Sequence, residues 1–104
     1  MPKFLIKWKI NTQMLPNDTE ERLKILQSMN KMVKEKVKSG FIMDFGEYCD
    51  RSGGYAIVEG DDITELSVVA MKWWPYVDFD AKPVLTIDQV IETINRTVAE
   101  MKGK

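Results

Sequence analysis

The chain has 104 residues, enough for one domain with a single core and too few for two. Fifteen basic and sixteen acidic side chains leave a formal charge of -1, so no global field draws it to nucleic acid or anionic lipid. It contains one cysteine, Cys49, and no histidine, which excludes an intrachain disulfide, serine–histidine or cysteine–histidine nucleophiles and imidazole-ligated metal. No metal site is therefore expected, and no cofactor is expected either.

Phe4, Ile6, Trp8 and Ile10 alternate with Lys3, Leu5, Lys7 and Lys9, the period-two pattern of a strand with one buried face. The pattern does not say which face meets the helices. The opening segment is too short in apolar residues for a signal-peptide core, and no run is long enough to span a bilayer. With the lone thiol, this predicts a cytoplasmic protein that does not engage membranes.

After a loop over 11–16, Asp18 and Glu21 resemble a capping box. Leu23, Leu26, Met29 or Asn30, Val33 and Val37 then predict a helix over 19–39, stopped by Gly40. The lysines at its end, Lys31, Lys34, Lys36 and Lys38, are read as a solvated face complementing the helix dipole.

Residues 41–60 predict a β-hairpin, with strands at 41–48 and 54–60. In the first of these, Phe41, Met43 and Phe45 alternate with Ile42, Asp44 and Gly46, which suits an edge strand. In the second, Tyr55 and Ile57 oppose Ala56 and Val58, so it is apolar on both faces and belongs inside a covered sheet. Asp61 and Asp62 are the caps for a second helix carrying Ile63, Leu66, Val69 or Ala70, and Trp73, and ended by Pro75. A strand over 76–85 follows, with Pro83 marking an edge or bulge. Thr86 and Gln89 form a capping-box pair before Ile87, Val90, Ile91, Ile94, Val98 and Met101, the apolar stripe of a third helix.

This order, β-α-β-β-α-β and a further helix, predicts a ferredoxin-like α+β domain over 1–104 with an antiparallel sheet in the order 4-1-3-2. Both major helices then cover one face. Leu5, Tyr55 and Ile57 are the residues expected on the other, where a second copy would bury them in a homodimer.

At this level the chain resembles the dimeric α+β-barrel superfamily, which includes muconolactone-isomerase-like proteins, YciI-like proteins and antibiotic-biosynthesis monooxygenases. The resemblance rests on the element order, the Gly54-Tyr55-Ala56-Ile57-Val58-Glu59 strand and the aromatic segment Trp73 to Tyr76. It is nearest to small members of unknown function, and it implies a dimer. The histidine of several active branches has no counterpart here, and no catalytic motif carries over.

Two groups carry the candidate chemistry. Trp8, Trp74 and Tyr76 are expected to line an aromatic cleft for a small organic ligand, with Trp73 turned into the core; packing is the commoner use of such indoles. The hairpin connection adds Glu47 and Tyr48 to the ligand-binding set, with Cys49, Asp50 and Arg51 beside them. Ordinary turn chemistry accounts for most of that segment, so enzymatic activity is left open. A rival reading takes Tyr55 as a base-stacking residue on an open sheet, because its strand also resembles the central motif of RNA recognition motifs. Ile57 and Gly60 stand where that motif has further aromatics, and the chain is not basic, so nucleic acid is not expected as a partner.

Overall fold

The computed structural model describes residues 2–103. Four strands and three helices follow in the order β1 (Lys3–Ile10), α1 (Thr19–Ser39), β2 (Ile42–Glu47), β3 (Gly53–Glu59), α2 (Ile63–Trp73), β4 (Val77–Val84) and α3 (Ile87–Lys102), with a short 3-10 turn at Thr12–Met14. The strands form one antiparallel sheet in the order β2-β3-β1-β4, the expected order read from its other edge. No helix among the described residues is long and apolar enough to cross a membrane.

Local chemistry explains the boundaries. The Asp18 carboxylate accepts from the Glu21 N–H at 3.0 Å, one half of the box, and Gly40 ends α1 at φ 85°. At α2 the carboxylate of Asp62, and not that of Asp61, accepts from the Thr64 and Glu65 N–H groups. Both halves of the Thr86–Gln89 box are made at α3.

Pairing fixes the faces that alternation left open. Phe4, Ile6 and Trp8 stand opposite Val58, Ala56 and Gly54 on β3, and opposite Pro83, Ala81 and Phe79 on β4. Phe4, Ile6, Ala56 and Val58 are buried with Ile42, against Val33 of α1 and Leu66 of α2. This is the helix side. The other side carries Leu5, Tyr55 and Ile57, all half-buried, with Lys7 opposite Asp80 and Lys9 opposite Asp78.

β2 departs from its sequence pattern. Its register shifts between Ile42 and Asp44, so Met43 is an extra residue, 51% exposed, while Ile42 is buried and Phe45 stays on the helix side. A bulge lets two residues of unlike parity share a face. Phe41 packs against the core from outside the strand, under the Lys36 ammonium.

The helices do not close the sheet completely. None of them contributes a residue to the fully buried set, and beyond Val77 every residue of β4 is exposed.

Candidate functional site

Between α1, α2 and the sheet lies a cavity of about 430 Å³, within the usual range of small-molecule sites. Its floor is the helix side of the sheet, with Phe4, Ile6, Trp8 and Ala56 central. Its roof comes from Leu26, Met29 and Val33 of α1 and Leu66, Ala70 and Trp73 of α2. The lining is almost wholly apolar.

Its polar groups are few. Trp8 Nε1 and Trp73 Nε1 are both buried and have no hydrogen-bond partner among the described residues. Each orphaned indole N–H costs roughly 1–3 kcal/mol of desolvation unless something accepts from it. Trp8 cannot easily turn away, because it stacks on Phe45 with ring centroids 5.5 Å apart and planes 14° from parallel. On its other flank is Gly54, where any Cβ would stand 2.6 Å from Trp8 Cζ2 and against the carbonyl oxygen of Gly46. The glycine is thus a requirement of close approach.

The charged lining residues are Glu47 and Arg51, joined by an Arg51 Nε–H bond to Glu47 Oε2. Glu47 lies opposite Gly54 at the end of β2, with its side chain 25% exposed. Arg51 sits in the hairpin connection at φ 67°, a left-handed conformation that disfavours a side chain. The connection holds it there through Arg51 N–H to Tyr48 O at 2.9 Å and Tyr48 N–H to Gly53 O at 2.8 Å. One mouth of an apolar cavity is therefore marked by an ion pair.

Of the residues expected at a ligand site, the structure brings Trp8 and Glu47 together on this cavity. Tyr48 borders a smaller, charged recess of about 220 Å³ with Lys7, Lys9, Asp78 and Asp80. Trp74 is 65% exposed and Tyr76 half-buried, and neither lines the cavity. Trp73 takes the place expected of its neighbour. The roughly 100° between successive helical residues permits only one of the two indoles to face the sheet, and the Leu66–Ala70 stripe selects Trp73. Asn11 braces this corner, its N–H donating to Tyr76 O at 2.7 Å while Tyr76 N–H donates to Trp73 O at 2.8 Å.

Sequence reasoning also passed over Arg51 and Phe45 as lining residues. Arg51 reaches the cavity by the turn geometry, which no spacing rule reports. Phe45 depends on the bulge at Met43.

A family model described as a domain of unknown function, DUF3303, matches residues 2–98, from the start of β1 into α3. The chain belongs to the DUF3303 family. No curated protein matches it. The matched region contains the whole sheet, α1, α2 and every residue that lines the cavity, so the cavity belongs to the DUF3303 domain itself.

Among the described residues two groups have shifted proton affinities, and neither lines the cavity. Hydrogen bonds from the Ser52 hydroxyl and N–H hold the Asp50 carboxyl below its usual value. The Tyr55 phenol, donating to Asp44 Oδ2 at 3.0 Å, is raised above its usual value. Tyr55 therefore lies on the outer sheet face tied to a carboxylate, with its ring over Gly46. Cys49 is free and exposed in the same connection as Asp50.

Proposed function

We propose that this DUF3303 domain is a ferredoxin-like homodimer that binds a small, largely apolar organic molecule in the cavity between its helices and sheet. The observation that carries the reading is a largely apolar chamber walled by Trp8 and Trp73, whose buried indole N–H groups have no hydrogen-bond partner among the described residues. A ligand with a flat hydrocarbon body and an acceptor oxygen satisfies both the lining and the donors. Arg51 and Glu47 at the mouth suit a second polar substituent there. The homodimer places Leu5, Tyr55 and Ile57 of two copies against each other, with the Lys7–Asp80 and Lys9–Asp78 pairs toward the rim.

An anilinonaphthalene sulfonate dye, apolar with one anionic acceptor group, is a suitable probe for the full chain. Saturable binding is expected, with quenching of indole fluorescence. Trp8→Phe and Trp73→Phe keep an aromatic ring and delete the donor, so each should weaken the dye by roughly 2- to 10-fold, the range of one neutral hydrogen bond. Trp74→Phe should leave it unchanged. Equal affinity in all three variants would remove the reading.

A further inference from the structure

Two uncovered apolar surfaces occur on the same chain, and they fit each other. The first is α3. Ile87, Val90, Ile91, Ile94, Val98 and Met101 recur at three- and four-residue steps along one side of this helix, and all are 41–72% exposed. Among the described residues α3 makes no extended packing with the sheet or with the other helices. It projects from a molecule measuring 65 × 27 × 25 Å.

The second is the β4 rim of the cavity. Phe79, Ala81 and Pro83 line the cavity from the sheet and Ile63 lines it from the start of α2, yet all four are exposed. Nothing in the same chain roofs them. α3 follows β4 after only Leu85 and Thr86, and Thr86 is extended (φ -70°, ψ 165°) and held by both capping-box bonds, 2.8 and 3.2 Å. The chain thus runs on past β4 instead of reversing over it.

We infer that each copy lays its α3 along the β4 rim of the other copy's cavity, so that the ligand site is completed by the partner subunit. This rests on the homodimer and cavity proposed above. A second copy is the occupant because it supplies both surfaces at once: two arms in two troughs close a two-fold assembly and leave neither surface exposed. The outer sheet face is a poorer seat for the stripe, since β4 presents Asp78, Asp80 and Lys82 there, and an apolar helix would bury those charges. The area suffices as well. Sixteen residues make a helix about 24 Å long and about 10 Å wide, so two such contacts, counted on both surfaces, bury on the order of 1,000 Å², the threshold of a biological interface, to which the proposed sheet contact adds.

The test uses two full-length variants and light scattering. Ile91→Glu/Ile94→Glu spoils the arm and leaves the trough; Ala81→Arg spoils the trough and leaves the arm. Wild type should be dimeric, and each variant should dissociate at concentrations where wild type does not, because only the sheet contact remains to hold it. An equimolar mixture of the two should regain dimers, because one intact arm still finds one intact trough. Should Ala81→Arg fail to fold by circular dichroism, Phe79→Lys serves as the trough variant. An arm variant that dimerises as tightly as wild type, or a mixture no tighter than either variant alone, overturns the exchange in favour of sheet contact alone or of α3 pairing with α3. The dye reports separately on the ligand reading. Wild-type dimers that pass the mixing test but bind no dye retain the exchange and remove the ligand, whereas dye binding by a wild-type monomer removes the exchange and retains the ligand.

Discussion

Trp8 and Phe45 stack across β3, which lies between their strands, with ring centroids 5.5 Å apart and planes 14° from parallel. Trp8 stands opposite Gly54 on β3 and Phe45 opposite Ala56, so the contact runs diagonally across that strand beside a residue with no side chain. A side chain there would strike Trp8 and the Gly46 carbonyl. The contact fixes the Trp8 ring in the cavity wall.

Gly54→Ala should therefore destabilise the fold by about 1–3 kcal/mol, the usual cost of forcing extra volume into packed structure. Urea unfolding followed by circular dichroism measures it. Backbone on one side leaves little room to relax, so a change below the noise of the method would mean that the strand–strand approach is not tight.

Stability and binding should respond separately at the two cavity indoles. Trp8→Phe and Trp73→Phe remove buried N–H groups that have no partner among the described residues, a relief that offsets the lost contact area. We expect midpoints shifted by less than about 1 kcal/mol while dye affinity falls. Trp73→Ala, at a half-buried position over a cavity, should cost about 1–3 kcal/mol, below a full core truncation. A loss as large as that of a sealed core would argue that the cavity collapses around the indole.

The Tyr55–Asp44 bond gives a pH signature. Because the neutral phenol donates to the carboxylate, the proton affinity of Tyr55 is raised in the folded chain. Its contribution to stability is fully present below the unfolded phenol pKa of about 10, and it is lost as pH rises through the higher folded value. Asp44→Ala should move the tyrosinate absorbance transition of this residue to lower pH. An unmoved curve would show that the bond does not persist in solution.

Capping at α2 separates two neighbouring carboxylates. Asp62 accepts from both Thr64 and Glu65 N–H groups, so Asp62→Ala should cost about 0.5–2 kcal/mol. Asp61→Ala should lie within about 0.5 kcal/mol of wild type, as for an ordinary surface change. Thermal melts of the two variants distinguish the carboxylates directly, and equal losses would contradict the assignment.

Much of the fold was legible because its causes are local. The 19–39 helix was predicted with both ends right, since Asp18 and Gly40 act within one turn of them. The sheet order followed from element order and the handedness of crossovers. The bulge at Met43 was not legible, as strict alternation cannot reveal that one residue has been looped out against a partner strand. The candidate site was legible in part. Trp8, expected in an aromatic cleft, and Glu47, expected from the hairpin connection, both border the cavity, whereas the choice of Trp73 over Trp74 depends on how α2 is rotated above the sheet.

The hairpin connection shows the same division. Its residue types announced a turn, and Asp50, Ser52 and Gly53 make one. That Arg51 adopts a left-handed conformation and turns its guanidinium to Glu47 is a consequence of where the two strands end.

From sequence alone come the elements, their caps, the absence of imidazole chemistry and the amphipathic stripe of α3. These depend on residue identity and on spacings of a few positions. Tertiary structure alone decided that Phe4, Ile6 and Trp8 face the helices, that the helices stand far enough off the sheet to leave a cavity, and that α3 stands clear of its own chain. Those outcomes depend on distances between segments remote in sequence, where packing volume and the exit direction of a strand act and local spacing carries no information.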